Sequence, residues 1–179
     1  MIYFITGNKN KFAEVQSFLP NIEQLDIHLP EIQDIDAQVI IKAKLQAAFN
    51  QSQGEFIVED TSLYMDCLNG LPGPFIKWFE KAIGNEGLAE LAKKLNNNRA
   101  TAKTIIGYAK TQNEIHFFEG VVTGTIVKPV VKSGFGWDPI FLPNGEAQTF
   151  AEMGQAEKNK ISMRRLAVNQ LKEFLIKHI

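Results

Sequence analysis

The sequence predicts a mixed-sheet α/β domain. Short apolar runs alternate with helical patterns in the first half of the chain, and two long segments rich in Thr, Val, Ile and Phe follow one another later. Alternating strands and helices indicate parallel pairing, whereas consecutive strands indicate antiparallel pairing, so we expect one sheet that contains both. A chain of 179 residues suffices for one domain with a sizeable core, and we predict a single domain over residues 1–179.

The first half of the chain alternates between predicted strands and predicted helices. The strands are short apolar runs, at Met1–Ile5, Ile22–His28 and Phe56–Val58. The helices carry apolar residues at helical spacing, from Phe12 to Leu19 before Pro20 and from an Asp36 cap to about Asn50.

The second half contains the predicted antiparallel part of the sheet. Pro74 suits the first turn of a helix, in which Phe75, Trp78, Phe79 and Ala82 form an apolar stripe before Gly84. A further helix is predicted over Glu86–Leu95. The later elements are a hairpin of Thr101–Ala109 with Glu114–Val127, a short strand at Asp138–Leu142, and a last helix that carries Ala167, Leu171, Phe174 and Leu175.

Composition and charge argue against several classes of protein. Nineteen basic and twenty acidic residues leave a net charge of −1, which disfavours a nucleic-acid partner. The single cysteine, Cys67, excludes an internal disulfide and a cysteine-based zinc site. No apolar run approaches the roughly 20 residues of a membrane span, and Met1–Ile5 is too short and uncharged for a signal peptide. We therefore expect a cytoplasmic protein without a membrane partner.

A polar turn between the first strand and the first helix is a candidate phosphate site. It reads Thr6-Gly7-Asn8-Lys9-Asn10-Lys11. Backbone N–H groups at a helix N-terminus bind anions, and Gly7 permits close approach of the backbone. Two lysines there oppose the helix macrodipole, a conflict that an anionic ligand would remove. An ordinary turn with Asn8 as the cap and two solvated lysines explains the same residues, so both interpretations stay open.

Asp60 is the candidate metal ligand. It follows the apolar run Phe56–Val58 directly, and we predict it at the C-terminal end of that strand. Ligands of α/β sheets bind at such ends, and Mg²⁺ takes one or two carboxylates together with substrate phosphates. A carboxylate that caps a turn is the alternative.

Two later segments carry further candidate binding residues. Gly134-Phe135-Gly136-Trp137-Asp138-Pro139 places aromatic rings beside glycines, so Phe135 or Trp137 could stack on a base. A bulged turn with both rings in the core is the alternative. The run from Glu157 to Arg165 places four cations just before and inside the first turn of the last helix, either for an anion or as a solvated face.

Six short blocks along the chain form one ordered pattern. They are Thr6-Gly7-Asn8 with Lys11 and Glu14; Leu29-Pro30-Glu31; Glu59-Asp60-Thr61-Ser62-Leu63; Gly70 to Phe79; Phe135 to Pro139; and Ala151-Glu152-Met153 with Glu157-Lys158-Asn159 and Ser162-Met163-Arg164. The set resembles the inosine triphosphate pyrophosphatase family, and it covers the chain almost end to end. Each block alone is a modest signal, whereas six in order over one short chain are highly specific.

The resemblance implies a fold and a reaction. The expected fold is a long mixed β-sheet with helices, in two lobes around a central substrate cleft, and the expected assembly is a homodimer. The expected enzyme is a Mg²⁺-dependent pyrophosphohydrolase that converts ITP, dITP and XTP to the monophosphate and pyrophosphate and so cleanses the nucleotide pool.

The resemblance also implies a role for each matching residue. The triphosphate would be held by Thr6, Gly7, Asn8, Lys9, Asn10 and Lys11, with Lys42 and Lys77 adding charge. Glu31 and Asp60 would hold the metal, and Asp60 is also the expected base that activates water. The remaining substrate-binding positions are Thr61, Phe135, Gly136, Trp137, Asp138, Lys158, Met163 and Arg164.

One residue departs from the family pattern. The family usually has Ser-His-Arg where this chain has Ser162-Met163-Arg164. A methionine cannot make the hydrogen bonds of a histidine, so we expect either looser base selectivity or a base held by Arg164 and backbone groups. Arg164 can donate to the 6-oxo group of hypoxanthine or xanthine, but it meets a donor in the 6-amino group of adenine.

Two other hypotheses come from different classes of protein. A purine nucleotide sensor that binds without hydrolysis has no need of a base, so Glu31 together with Asp60 argues against it. A single-stranded nucleic-acid binder would use the aromatic and basic segments, but the net charge of −1 disfavours it.

Overall fold

The computed structural model describes residues 1–131 and 134–178 of the chain. Over these residues the strands are β1 (Ile2–Ile5), β2 (Ile22–Leu25), β3 (Glu55–Met65), β4 (Pro72–Gly73), β5 (Arg99–Thr111), β6 (Glu114–Ile126) and β7 (Phe141–Pro143). The α-helices are α1 (Lys9–Phe18), α2 (Ala37–Gln51), α3 (Ile76–Lys94), α4 (Phe150–Ile161) and α5 (Met163–His178). Two short 3-10 turns occupy Asp66–Leu68 and Asp138–Ile140.

The described strands form a mixed seven-stranded sheet, which confirms the predicted α/β class. Six strands follow the order β2-β1-β3-β5-β6-β7, and β4 pairs with β3 outside this path. The pairings of β1 with β2 and with β3 are parallel, whereas β4 with β3 and β7 with β6 are antiparallel. The two lobes around a central cleft stay a prediction.

Side-chain caps begin the first two helices where the sequence predicts them. The Asn8 side-chain oxygen accepts the backbone N–H groups of Asn10 and Lys11, at 3.0 and 3.1 Å. The Asp36 carboxylate accepts the N–H of Gln38 at 2.9 Å. Each cap pairs a helix-terminal donor that would otherwise lack an intrahelical acceptor.

Strand β3 is longer than predicted, so the predicted position of Asp60 at a strand end is wrong. The strand continues to Met65, because buried apolar residues resume at Leu63 and Met65. Its parallel neighbour β1 pairs only as far as Ile57, and β4 pairs with it antiparallel from Leu63. Asp60 therefore lies within β3, beyond the last residue that pairs with β1.

The C-terminal basic run belongs to two helices rather than one, which corrects the prediction. Lys158 and Lys160 lie in the last turn of α4, where cations favour the negative end of the macrodipole. A capping box between Thr149 and Glu152 begins this helix. The backbone of α4 is non-helical at Gly154, with φ of +73°. This break interrupts the helical spacing of apolar residues, so the sequence pattern does not predict α4.

Two other predicted elements differ in detail. The predicted strand at Asp138–Leu142 is a 3-10 turn over Asp138–Ile140 that leads into β7, because Pro139 lacks the N–H that a strand ladder uses. The predicted apolar stripe of α3 is also wrong. Trp78 and Ala82 are exposed, and Phe75 and Phe79 are only half-buried. The predicted break at Gly84 is confirmed, since its backbone is non-helical, with φ of +66°, inside α3.

The described residues divide into two compact units. The first comprises Met1–Asp60, Thr104–Gly120 and the chain from Met163 onward, and the second comprises Thr61–Lys103 and Val121–Ser162. None of the helices in residues 1–131 and 134–178 combines the length and apolar character needed to cross a membrane.

The core of the first unit has a layer on each face of the sheet. The members on one side come from the strands together with α1 and α5, and include Phe4, Val15, Ile57, Ala167 and Leu171. Those on the other side come from the strands together with α2, and include Ile5, Ile41, Leu45, Phe56 and Val58. Successive residues of β3 thus enter opposite layers, as the strand period of two requires.

The second unit has an aromatic cluster beside the 3-10 turn at Asp138–Ile140. The rings of Trp137 and Phe141 lie edge to face at 5.5 Å, and those of Phe141 and Phe150 lie 5.2 Å apart. Trp137, Phe141 and Phe150 are all buried, so this cluster anchors the turn to β7 and α4.

Gly120 allows α5 to pack directly on the backbone of β6, and we expect Gly120→Ala to destabilise the protein. A Cβ atom there would lie 1.8 Å from the Met163 carbonyl oxygen and 2.8 Å from the Ala167 nitrogen. Because backbone must move, the free energy of unfolding should fall by about 1–3 kcal/mol or more. Urea denaturation of both proteins measures this change.

Val121→Ala, at the next residue of β6, is the matched control. Its side chain is 39% exposed, so we expect a change within about 0.5 kcal/mol. Equal stability of Gly120→Ala and the wild type would contradict the close packing of α5 on β6.

Candidate functional site

The polar turn before α1 is both a helix cap and an exposed loop. Thr6 Oγ1 accepts the N–H of Asn8 at 3.1 Å, and Asn8 in turn caps Asn10 and Lys11. Gly7, Lys9 and Asn10 are exposed. The Asn8 cap is therefore confirmed, but the expectation of two solvated lysines is wrong for Lys11, whose Nζ atom lies 3.0 Å from Glu59 Oε1. Anion binding by the same turn stays a prediction.

A buried cluster of charged side chains joins α1, β3 and α5. Arg164 at the start of α5 is 1% exposed, and the Glu59 side chain in β3 is 2% exposed. The Arg164 Nε and Nη2 atoms donate to the two Glu59 oxygens at 2.8 and 2.9 Å. Arg164 Nη1 also donates to Glu14 of α1, and Lys11 Nζ lies 3.0 Å from Glu59 Oε1.

Electrostatics keep both partners of the central pair charged. Burial alone raises the pKa of Glu59, but Arg164 and Lys11 outweigh it and lower that pKa from 4.5 to about 2. Burial alone lowers the pKa of Arg164, whereas Glu59 and Glu14 raise it above its ordinary value. Each buried charge is therefore stabilised by an opposite charge that the fold supplies.

Glu14 and Glu59 belong to the six sequence blocks, but neither is among the predicted site residues. A signal for Glu59 exists in the strand alternation. Glu59 follows Ile57 by two residues, so it points to the same face of β3, which packs against α1 and α5. A carboxylate on an apolar face requires a cation, and the sequence alone does not say which cation.

The two predicted metal ligands lie in the first unit. Asp60 is half-buried within β3, and Glu31 is exposed, with its Oε1 atom 3.7 Å from Lys44 Nζ. Lys42, a predicted phosphate ligand, is exposed on α2. No three His, Cys, Asp or Glu side chains in residues 1–131 and 134–178 form a ready-made metal cluster.

The second unit contains the predicted base-binding segment. Gly136 adopts a positive φ of +58°, and the Asn85 side-chain amide donates to its carbonyl oxygen at 3.0 Å. Trp137 is buried against Phe141, so the alternative of an aromatic ring in the core holds for Trp137. Phe135 is half-buried, so stacking of a base on its ring stays a prediction.

A buried ion pair between Lys158 and Asp138 stabilises this segment. Lys158 Nζ lies 2.6 Å from Asp138 Oδ2, and both side chains are buried. The same ammonium lies 5.7 Å from the centre of the Phe135 ring and 5.5 Å from that of Phe150. Lys158 thus holds Asp138 and contacts two rings by cation–π interactions.

The remaining predicted residues lie in varied surroundings. Thr61 is half-buried in β3, and Lys77 is exposed on α3 with its Nζ atom 5.8 Å from the centre of the Trp78 ring. Met163 is 2% exposed and begins α5. A buried thioether packs as an apolar group, so Met163 fills core space at this position.

Comparison with known proteins gives matches over almost the whole chain. The sequence model that defines the Ham1 family matches residues 2–174 of this chain. The inosine triphosphate pyrophosphatase of Schizosaccharomyces pombe is 42% identical over 178 residues, which cover 97% of this chain and 94% of that protein. The protein of the same name from Saccharomyces cerevisiae is 42% identical over 189 residues, covering 97% of this chain and 95% of that protein. The solved structure of the Staphylococcus aureus Ham1 protein superposes with a TM-score of 0.81 at 26% identity and covers 100% of both chains.

The lowered pKa of Glu59 predicts a stability contribution that disappears in acid. Because the pKa falls from 4.5 to about 2 on folding, the charge stabilises the folded state fully above pH 4.5 and loses this effect as the pH falls towards 2. The stability difference between wild type and Glu59→Gln should therefore shrink by about 2 kcal/mol between pH 6 and pH 3. Urea denaturation at several pH values measures it.

Glu23→Gln, on an exposed residue of β2, controls for the change in net charge. A difference between wild type and Glu59→Gln that stays constant from pH 6 to pH 3 would contradict the assigned ion pairs.

Proposed function

The chain belongs to the Ham1 family, and from that premise we propose that it hydrolyses ITP, dITP and XTP to the monophosphate and pyrophosphate. The observation that carries the proposal is the 42% identity to inosine triphosphate pyrophosphatases over 97% of the chain. In the cell, this activity removes non-standard purine nucleotides from the triphosphate pool. Our proposal also covers one domain over residues 1–179, a cytoplasmic location and a homodimer, of which the homodimer rests on the resemblance alone.

The first step is to hold the triphosphate. We assign this task to the exposed turn Thr6–Lys11, with Lys42 and Lys77 as further cations and Thr61 as a further polar contact. The turn contributes backbone N–H groups at the beginning of α1, where the positive end of the helix dipole favours anions. Ammonium groups stabilise the phosphate oxygens that gain charge in the transition state.

Glu31 and Asp60 are the residues that would hold Mg²⁺. Both offer hard carboxylate oxygens, and Mg²⁺ in proteins takes one or two such ligands together with substrate phosphates. The donor chemistry of the pair therefore fits this ion. When bound, Mg²⁺ neutralises phosphate charge and lowers the pKa of a coordinated water.

Asp60 is the proposed general base. Its carboxylate accepts a proton from the attacking water, whose oxygen forms a bond to the α-phosphorus. The bond from the α-phosphorus to the bridging oxygen breaks, and pyrophosphate leaves with the electron pair. The half-buried position of Asp60 in β3 favours this role, because a strand fixes the side chain more precisely than a loop does.

The purine base is assigned to the segment Phe135–Asp138 and to Arg164. In this segment we assign the half-buried Phe135 to stacking on the base, and Lys158 fixes Asp138. Arg164 is assigned to the 6-oxo group, where a donor disfavours adenine. Its guanidinium is 1% exposed and donates to Glu59 and Glu14, so base reading requires the purine to reach a side chain that the fold buries. Met163 contributes no side-chain hydrogen bond to the base, so we expect Arg164 and backbone groups to determine its selectivity.

A product assay tests the proposed function. The protein is incubated with Mg²⁺ and ITP, XTP, dITP, ATP or GTP, and pyrophosphate is quantified separately from orthophosphate. We expect monophosphate and pyrophosphate from ITP, dITP and XTP and little from ATP. Tight binding of ITP with no product would instead indicate the sensor hypothesis, and equal turnover of all five would mean that the base is not selected.

Asp60→Asn should abolish turnover while it leaves the fold intact. The amide keeps the size of the side chain but cannot accept the proton, and removal of a general base typically costs about 10²–10⁴-fold in rate. Initial rates of pyrophosphate release from ITP measure the loss, with thermal unfolding as the check on folding. Asp36→Asn, at an exposed helix cap, is the matched control. Retained activity in Asp60→Asn would exclude Asp60 as the base.

A further inference from the structure

One carboxylate of the first unit contacts two cations that have different proposed tasks. Glu59 Oε1 lies 3.0 Å from Lys11 Nζ, which we assign to the phosphates, and 2.9 Å from Arg164 Nη2, which belongs to the residue assigned to the base. Its other oxygen, Oε2, accepts from Arg164 Nε at 2.8 Å. A single oxygen of Glu59 is therefore shared between the two cations.

The contact to Arg164 fixes the orientation of the guanidinium group. Two parallel hydrogen bonds, from Nε and Nη2, hold the plane of the guanidinium against the carboxylate, which one contact could not do. Glu14 adds a bond from Nη1 at the other end of the group. Because Glu59 and Arg164 are both buried, water screens the pair little, and a shift of one side chain displaces the other.

Lys11 is the accessible member of this cluster. Its side chain is 23% exposed, whereas that of Glu59 is 2% exposed. A phosphate that binds Lys11 competes with Glu59 for the same ammonium. The ion pair between Glu59 and Lys11 then weakens, and the ion pair between Glu59 and Arg164 strengthens. A perturbation at the phosphate end of the site therefore reaches the base-reading side chain through one residue.

We propose that Glu59 is a positioning residue that couples base selection by Arg164 to phosphate binding by Lys11. The inference rests on the proposed function, and it assigns to Glu59 a role in substrate specificity rather than in the chemical step. Coupling between two ligand contacts is reciprocal, so a change at Lys11 alters the discrimination between bases, although Lys11 itself does not read the base.

The principal experiment compares two variants in the same strand. Glu59→Gln keeps the size of the side chain but removes the charge that holds both cations. Glu55→Gln makes the same chemical change in β3, at a carboxylate that accepts from the Tyr108 hydroxyl and has no proposed role in the reaction. For each protein, kcat and KM are measured separately with ITP and with ATP, and thermal unfolding reports folding.

We expect the preference for ITP over ATP, as the ratio of kcat/KM values, to fall at least tenfold in Glu59→Gln. The fall should come mainly from a higher KM for ITP, and Glu55→Gln should keep the wild-type ratio. A folded Glu59→Gln with the wild-type ratio would overturn the proposal, because Glu59 would then be a structural counter-ion only.

A second variant decides the matter if Glu59→Gln does not fold. Lys11→Met alters a partly exposed side chain at the beginning of α1, so the core is retained. Coupling through Glu59 predicts at least a threefold fall in the preference for ITP over ATP, in addition to a higher KM for both. An equal rise in KM for both nucleotides, with the preference unchanged, would overturn the proposal.

The wild-type assay separates this inference from the function on which it rests. Absence of pyrophosphate release from ITP by the wild type would overturn the proposed function and the inference together. Unchanged base preference in active Glu59→Gln and Lys11→Met variants would overturn the coupling alone.

Discussion

The buried guanidinium of Arg164 imposes the strongest constraint on the first unit. A charge that is 1% exposed is stable only beside opposite charges, and those charges come from β3 and α1. Glu59 and Glu14 must therefore reach the first residues of α5 while the apolar residues around them close the core. Removing one partner of such a pair typically costs about 3–5 kcal/mol, since an uncompensated charge is left behind. The positions of three elements consequently depend on one side chain.

Close packing of helices on the strands brings Arg164 within reach of Glu59 and Glu14. Gly120 brings β6 against the first turn of α5, where an added Cβ would lie 1.8 Å from the Met163 carbonyl oxygen. Gly107 of β5 plays the same role for α2, since a Cβ there would lie 2.2 Å from Ile41 Cγ2. Small residues in the strands thus set how near the helices approach, and the position of Arg164 follows from that distance.

The second unit also contains a buried cation that is paired with a buried carboxylate. Lys158 and Asp138 are both buried and lie 2.6 Å apart, and the ammonium also contacts the Phe135 and Phe150 rings. In both units a buried cation from one helix fixes a carboxylate near a residue with a proposed binding role. Such pairs contribute geometry more than net stability, because burial of the charges offsets much of their attraction.

The sequence by itself determined the mixed sheet, the caps at Asn8 and Asp36, and the hairpin of β5 with β6, because each depends on local periodicity or on a local hydrogen bond. It also carried the motifs by which the family is recognised. Only the tertiary structure decided that β3 runs on past Asp60, that Lys158 ends a helix rather than preceding one, and that Glu59 joins Lys11 to Arg164. The physical reason is separation along the chain: Glu59 and Arg164 lie 105 residues apart, and no local pattern specifies which distant cation a buried carboxylate meets.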